Sequence, residues 1–302
     1  MTSPVASSNA VDLSRLPAPT VVEPLDFETI LAAMRADLVA RKPDLADALA
    51  IESEPLNKLL EVCAYRELIL RQRVNDAAKA VMVAYAEGTD LDQLAALMGV
   101  SRLEIAPADP ESGAAAVMEE DEDLRKRVVL APEGFTVAGP EGAYIFHALS
   151  ADADVLDASV SSPTPGQVVV TVLSRQGNGV ADEGLLAAVA AAVSADSVRP
   201  LTDQVLVQSA AIVDYAVVAQ IFTFEGPDSA LVLAQAQAQL AAYVEAQRKL
   251  GRDITRSGLY AALHVGGVQR VALTQPAADV AISATQAAHL TSSTVTHGGV
   301  AD

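Results

Sequence analysis

The sequence predicts an α+β fold: an N-terminal helical domain with one long helix, then a mixed α/β central region and two small strand-helix-strand modules. Apolar residues recur at helical spacing through roughly the first third of the chain, as they do in amphipathic helices. Beyond residue 155 the pattern changes, and runs rich in Val, Ile and Thr alternate with Ala-rich helical segments. Because 302 residues are more than one hydrophobic core usually serves, several domains are expected.

Residues 1–24 are predicted to form an extended arm. The segment LPAPTVVEP contains three prolines, and each proline disfavours a helical conformation in the residue before it. An amphipathic helix is then predicted over residues 27–39, with the carboxylate of Asp26 as its N-cap.

The second helix is predicted to be much longer. Ser53-Glu54-Pro55 is a helix-start signal, and neither Gly nor Pro follows until Gly88, which predicts a rod of 33 residues, about 50 Å long. Gly88 would cap this rod in the left-handed conformation. The rod has more apolar positions than one neighbouring helix would cover, so the surplus predicts an interface with another chain. The candidate interface residues are Leu56, Leu59, Leu60, Leu68, Leu70, Val74 and Val81.

A helix corner is predicted after the rod. Thr89-Asp90 would cap the short helix LDQLAALMG, and Gly99 would turn the chain. A helix-turn-helix DNA-binding regulator is the alternative function, because such proteins use the same geometry. It is disfavoured because RLEIAPADPESG follows, with one Arg and then acids and prolines in place of a basic recognition helix. The helical domain is therefore predicted to span residues 25–105, with Leu91, Leu94, Leu97 and Met98 folding the short helix onto the rod.

Residues 106–160 are predicted to hold a linker and the central α/β region. Within them, MEEDEDLRKR at 118–127 places five acids before three bases. Such acids could bind calcium or magnesium, which need converging oxygen ligands. The first turn of a helix is the favoured interpretation, because acids stabilise the positive end of a helix and no metal-loop spacing with a central Gly follows.

The two α+β modules are predicted over residues 161–225 and 226–302. The first holds the strand Gln167–Leu173, the turn RQGNG, a helix, and the strands QVLVQSA and AIVDYAVVAQIFTF. The second holds an Ala-rich helix and a final strand, VQRVALTQP. RQGNG is interpreted as a turn and not as a phosphate cradle, because no Lys follows it. VVVTVLSRQGNG and VVAQIFTFEGPD occupy equivalent places, which hints at a duplicated module.

The composition points away from catalysis and nucleic-acid binding. A formal charge of −19 repels phosphate, so no nucleic-acid partner is expected.

The residue types that most often carry chemistry show no site pattern. Cys63 is predicted to be a buried, inert thiol. The four histidines show no metal-ligand spacing and are expected to be hydrogen-bonded or exposed, which disfavours a metal-dependent hydrolase, the other alternative class. No catalytic, metal or cofactor site is predicted, the chain is not expected to be an enzyme, and no apolar run is long enough to predict membrane contact.

Four stretches in one order carry a family resemblance. They are ESEPLNKLLEVCAYRELILRQRVNDAAKAVMVAYAEGTDLDQLAALMGVSRL, EDEDLRKRVVLAPEGFTVAGPEGAYIFHALSAD, ASVSSPTPGQVVVTVLSRQGNG and SVRPLTDQVLVQSA. Together they resemble the baseplate assembly J-like proteins of contractile phage tails and tailocins. The similarity extends from about Leu16 to Asp279, which is most of the chain.

The resemblance implies a structural role. A J-like protein would be a wedge component of the tail baseplate in a virion or tailocin particle, assembled in the cytoplasm of the host bacterium. It would join a six-fold ring around the central spike and hub, and would rearrange when the sheath contracts. The implied partners are other wedge proteins and a second J-like copy, with sheath, hub and fibre-attachment proteins as further candidates. We expect the helix over residues 55–87 to join a bundle with partner wedge chains, and the modules after residue 155 to contact the second copy.

Overall fold

The computed structural model describes Leu13, residues 19–226 and residues 228–301. The chain divides between Ser101 and Arg102 into two compact units, called here the helical unit and the α+β unit. The arm predicted over residues 1–24 lies mostly outside the described residues. Its last part, residues 19–24, forms a turn and then an irregular segment.

The described residues form an α+β arrangement, which confirms the predicted fold class. The helices are α1 (Phe27–Arg41), α2 (Ala46–Leu49), α3 (Pro55–Ala80), α4 (Gly88–Leu97), α5 (Asp121–Gly134), α6 (Glu141–Ala151), α7 (Glu183–Val193), α8 (Ser229–Gln247) and α9 (Arg256–Leu263). The strands are β1 (Glu104–Ala106), β2 (Val117–Met118), β3 (Val155–Ser161), β4 (Gln167–Ser174), β5 (Gln204–Ser209), β6 (Ala211–Thr223), β7 (Val268–Gln275) and β8 (Gln286–Val300).

The helical unit is built on the packing of α1 against α3. Asp26 caps α1 as predicted, and its carboxylate accepts a hydrogen bond from the Thr29 N–H at 2.7 Å. Ile30 and Leu31 of α1 pack with Ala64 of α3 in a small buried cluster. Pro55 begins α3, where proline costs no intrahelical hydrogen bond. Ser53 lies in the preceding turn, and Glu54 occupies the N-cap position.

The long helix is shorter than predicted. It ends at Ala80 after 26 residues, so its length is about 39 Å and not 50 Å. Val81 and Val83 follow, and the stiff β-branched side chains of valine weaken the helical preference there. The chain turns at Met82, whose carbonyl accepts a hydrogen bond from the Ala86 N–H at 2.8 Å, and Ala86 becomes buried. Neither glycine nor proline marks this end, so the sequence pattern predicts a longer helix than the one that forms.

The corner after the rod is present, with different caps from those predicted. Gly88 has φ +52° but stands at the start of α4 instead of closing α3, and Glu87, not Asp90, is the N-cap. Gly99, with φ +71°, closes α4. There the Val100 N–H donates to the Ala95 carbonyl and the Gly99 N–H to the Ala96 carbonyl, as in a Schellman motif.

Only part of the apolar face of α4 is buried. Leu91 is fully buried, whereas Leu97 is 77% exposed and Met98 also faces solvent, so the prediction that all four apolar residues fold back is wrong. Leu103 precedes β1, which occupies the position where a DNA-reading helix would have to follow the turn.

The first sheet of the α+β unit has the strand order β3-β4-β5. β4 pairs antiparallel with β3 and parallel with β5, and α7 makes the crossover between the two parallel strands. α5, α6 and α7 supply the apolar residues that cover this sheet, among them Leu130, Ile145 and Val189. The segment RQGNG forms a turn, as predicted.

The second sheet has the strand order β7-β6-β8 and packs against α8 and α9. β6 belongs to this sheet, so the second module begins near residue 211 and not at 226. β3 and β8 were missed, and β7 is not the final strand. Both sheets have a central strand with one parallel and one antiparallel neighbour, but the chain visits them in a different order, which argues against a simple duplication.

Candidate protein-interaction surface

Helix α3 has two opposite faces, and one of them is packed. On this packed face Leu60, Ala64 and Leu68 contact the apolar cluster of α1. Two buried asparagines lie on the same face. The Asn57 amide donates to the carbonyls of Leu49 and Ile51 at 2.9 and 2.6 Å, which fixes the loop before α3.

The opposite face of α3 is apolar and exposed. Its members recur every three or four residues, as one side of an α-helix requires. Leu59 and Val62 are each 58% exposed, Val74 is 62% exposed and Leu70 is 64% exposed. We call this face the α3 stripe. It consists of Leu59, Val62, Cys63, Arg66, Leu70, Arg73, Val74 and Ala77.

The structure separates the sequence-predicted interface residues into three groups. Leu59, Leu70 and Val74 lie in the α3 stripe, and Val81 is 69% exposed just beyond the end of the helix. Leu60 and Leu68 lie on the packed face, where they stabilise the helical unit itself. Leu56 is partly buried. Apolar character alone could not separate these groups, because it does not show which side of α3 faces α1.

Two members of the stripe were missed or misjudged. Cys63 is exposed, so the prediction of a buried thiol is wrong. Val62 was not among the candidates, although it is three residues from Leu59. The positions of Asn57 and Asn75 in the sequence could have predicted that Val62 and Cys63 are exposed. Spaced 18 residues, or five full turns, apart, they mark one face, and the stripe lies opposite.

A second cluster of functional groups lies in the α+β unit and is charged. Three of the five acids in 118–127 form the first turn of α5, as the favoured interpretation predicts, and Glu120 occupies its N-cap position. Asp121 and Asp123 pair with arginines, Asp121 with Arg102 at 2.6 Å and Asp123 with Arg175 at 2.5 Å. These two acids are therefore paired with bases of the same chain.

The most buried pair of this cluster is Glu119 and Arg127. The guanidinium Nε donates to Glu119 Oε1 at 2.8 Å, Nη2 donates to Oε2, and both side chains are about 5% exposed. Nearby, Lys126 pairs with Asp157 at 2.6 Å, and Asp157 also accepts from the Leu250 N–H at 3.0 Å. The network thus joins α5 to β3 of the first sheet and to the segment that follows α8. A cavity of about 10 Å³ beside Glu119 has room for about one water.

His147 meets only in part the expectation that each histidine is hydrogen-bonded or exposed. Its side chain is partly buried on α6, and none of the described residues offers a hydrogen bond to its Nε2. Burial lowers the pKa of His147, and a hydrogen bond with the backbone of Gly134 partly opposes that effect. On the same helix, burial and a hydrogen bond to Asp203 raise the pKa of Tyr144.

Two further features bear on the kind of function. Within residues 19–226 and 228–301, no group of three or more His, Cys, Asp or Glu side chains is arranged to hold a metal ion. None of the helices in the described part of the chain has the length and apolar character needed to cross a membrane.

Comparison with protein families gives three consecutive matches. The Baseplate J-like N-terminal domain matches residues 52–109, which include all of the α3 stripe. The Baseplate J-like central domain matches residues 136–209, the region of the first sheet. The Baseplate J-like protein C-terminal domain matches residues 215–296, the region of the second sheet.

Similar individual proteins are baseplate proteins. Baseplate protein J of Escherichia phage P2 is 52% identical over 296 residues, which cover 96% of this chain and 98% of that protein. Among solved structures, a chain of the cryo-EM structure of the anti-feeding prophage (AFP) baseplate, 6-fold symmetrised, has a TM-score of 0.39 and 14% identity. That similarity covers 58% of this chain and 43% of the other chain.

Proposed function

This chain belongs to the Baseplate J-like protein family, and we propose that it is a structural component of a phage-type tail baseplate. The identity of 52% to Baseplate protein J of Escherichia phage P2, over nearly the whole of both chains, supports that role. In detail, we propose that the chain is part of a wedge, that wedges close into a six-fold ring around the spike and hub, and that the ring rearranges when the sheath contracts.

The α3 stripe is the observation that carries the proposal. It places four large apolar side chains on one solvent-exposed face, with each more than half exposed. Burying such a side chain is worth about 1.5–3 kcal/mol, so a partner that covers the stripe gains several times that amount before the costs of association. We therefore propose that the stripe packs into a helix bundle with another wedge protein. The sheets of the α+β unit would contact a second copy of this chain.

The proposal is tested by examining whether particles assemble baseplates that contain this chain. The double variant Leu70→Asp/Val74→Asp places two charges in the stripe without touching the packed face. We expect particles made with this variant to lack baseplates by electron microscopy, and the chain to be absent from purified tails by immunoblot. Baseplates of normal number and composition would contradict the proposed interface.

The matched control is Leu97→Asp. Leu97 is an exposed leucine of the same helical unit that lies on α4 and not on α3. Both variants should melt at the temperature of the wild-type chain, because neither removes a buried contact. Loss of baseplates with the stripe variant but not with Leu97→Asp would assign the effect to the stripe.

A further inference from the structure

Two arginines interrupt the apolar surface of the α3 stripe. Arg66 stands between Cys63 and Leu70, and Arg73 stands between Leu70 and Ala77. Both side chains are exposed, and none of the residues that the structure describes forms an ion pair with either of them. They are seven residues apart, which places them on the same side of the helix, two turns from one another.

The neighbouring charges of α3 are already engaged. Lys58 pairs with Glu61 at 2.9 Å, and Arg71 pairs with Glu67 at 2.6 Å and with Glu23 at 3.3 Å. Glu61 and Glu67 are therefore directed to other bases, and Asp76 accepts a hydrogen bond from the Gln72 side chain at 2.7 Å. Arg66 and Arg73 remain as positive charges within an apolar face.

These two charges restrict what can cover the stripe. A partner that packed on it with apolar side chains alone would bury two unpaired guanidinium groups, and an uncompensated buried charge is strongly unfavourable. A partner with carboxylates opposite the two arginines would instead form charge-assisted hydrogen bonds, which are bidentate in the best geometry. The stripe thus fits an acidic, amphipathic helix.

The same charges disfavour a second copy of this chain on the stripe. In a parallel pairing of two stripes, each arginine would face its own equivalent. In an antiparallel pairing centred between Ile69 and Leu70, Arg66 of one copy would face Arg73 of the other. Like charges meet in both cases, and such contacts suppress a pairing.

We infer that the segment seated on the stripe belongs to a different protein and is an amphipathic helix with carboxylates seven residues apart, opposite Arg66 and Arg73. The inference rests on the proposed function, because it names the chemistry of the partner at the same surface. α3 itself has five basic and three acidic residues, whereas the whole chain has 20 and 39, so the stripe lies on a locally basic element of an acidic protein.

The test uses the full chain co-expressed with the other baseplate proteins of its own particle. The charge-reversal variant Arg66→Glu/Arg73→Glu should lower recovery of the complex by more than about tenfold, because one buried charge pair is worth at least that factor. The control Arg66→Lys/Arg73→Lys keeps both charges and should retain most of the binding. A photo-cross-linker attached to Cys63, the only cysteine of the chain, identifies the partner segment by mass spectrometry.

Exchange of charges completes the test. Replacing the two carboxylates of the cross-linked partner helix by Lys should restore recovery of the complex with the charge-reversal variant.

Three outcomes would contradict these proposals. Full recovery with charge reversal but not with Leu70→Asp would overturn the acidic-partner inference and leave the proposed interface standing. Full recovery with Leu70→Asp would instead overturn the interface itself. Formation of a dimer by this chain alone, abolished by Leu70→Asp in sedimentation, would also overturn the inference.

Discussion

The side-chain amide of Asn75 both accepts a hydrogen bond from the backbone of Glu23 and donates one to it. Asn75 Oδ1 accepts from the Glu23 N–H at 3.0 Å, and Asn75 Nδ2 donates to the Glu23 carbonyl at 2.9 Å. Asn75 is 5% exposed and lies 52 residues from Glu23 in the sequence. One side chain thus fastens the segment that precedes α1 onto the packed face of α3.

We expect Asn75→Ala to lower the free energy of unfolding by about 1–2 kcal/mol, because two backbone groups lose their partners. Urea denaturation of the full chain measures the change. Gln72→Ala is the control, since Gln72 lies on the same helix and makes an exposed hydrogen bond to Asp76. Equal stability of the two variants would show that the pairing contributes nothing.

The buried ion pair of Glu119 and Arg127 should be the most sensitive charged site of the α+β unit. Glu119→Gln removes one partner and leaves the Arg127 guanidinium buried without its counter-charge. We expect a loss of about 3–5 kcal/mol in the free energy of unfolding, measured by urea denaturation. The double variant Glu119→Leu/Arg127→Met should lose less than Glu119→Gln, because no isolated charge remains.

Glu122→Gln is the matched control for that experiment. Glu122 follows Asp121 in α5, its side chain is 86% exposed, and it approaches Arg125 only to 3.6 Å. Exposed pairs of this kind contribute little to stability. A loss for Glu122→Gln as large as that for Glu119→Gln would refute the importance of burial.

Local signals explain which parts of this fold the sequence predicted. Asp26 and Pro55 mark helix starts within a few residues of themselves, and the acids of 118–127 favour a helix N-terminus by charge alone. Gly99 fits the left-handed position that ends α4. In each case the interaction that starts or ends the helix involves residues within one helical turn of the residue that predicts it.

Other parts of the fold depend on distant partners, and the sequence could not predict them. β8 is rich in Ser and Thr, and it becomes a strand by pairing in parallel with β6, which is more than 60 residues earlier in the chain. The leucines on the exposed and packed faces of α3 could not be told apart by their apolar character, for a similar reason. Leu59 and Leu60 are identical side chains, and only the position of α1 decides which one is covered.

His147 should make the stability of the chain depend on pH. Burial lowers its pKa in the folded state below the ordinary value of 6.5. As pH falls below 6.5, the unfolded chain binds a proton that the folded chain does not, so the free energy of unfolding decreases. We expect His147→Gln to lose less stability than the wild type between about pH 7 and pH 5.

The measurement is urea denaturation of both proteins at the two pH values. The exposed His264 supplies a control variant, His264→Gln, which reports the effect of removing a histidine outside a buried setting. Equal losses of stability by wild type and His147→Gln on acidification would rule out a contribution from His147.

Leu59 and Leu60 allow the two faces of α3 to be tested separately. Leu60→Ala removes atoms that pack against the cluster of Ile30, Leu31 and Ala64, so we expect a loss of about 1–3 kcal/mol in the free energy of unfolding. Leu59→Ala removes the same atoms from the exposed stripe, and its stability should stay within about 0.5 kcal/mol of wild type. Incorporation into particles should follow a different pattern, with Leu59→Ala impaired at full stability. Equal destabilisation by the two variants would contradict the assignment of faces, because Leu59 would then be buried within the chain.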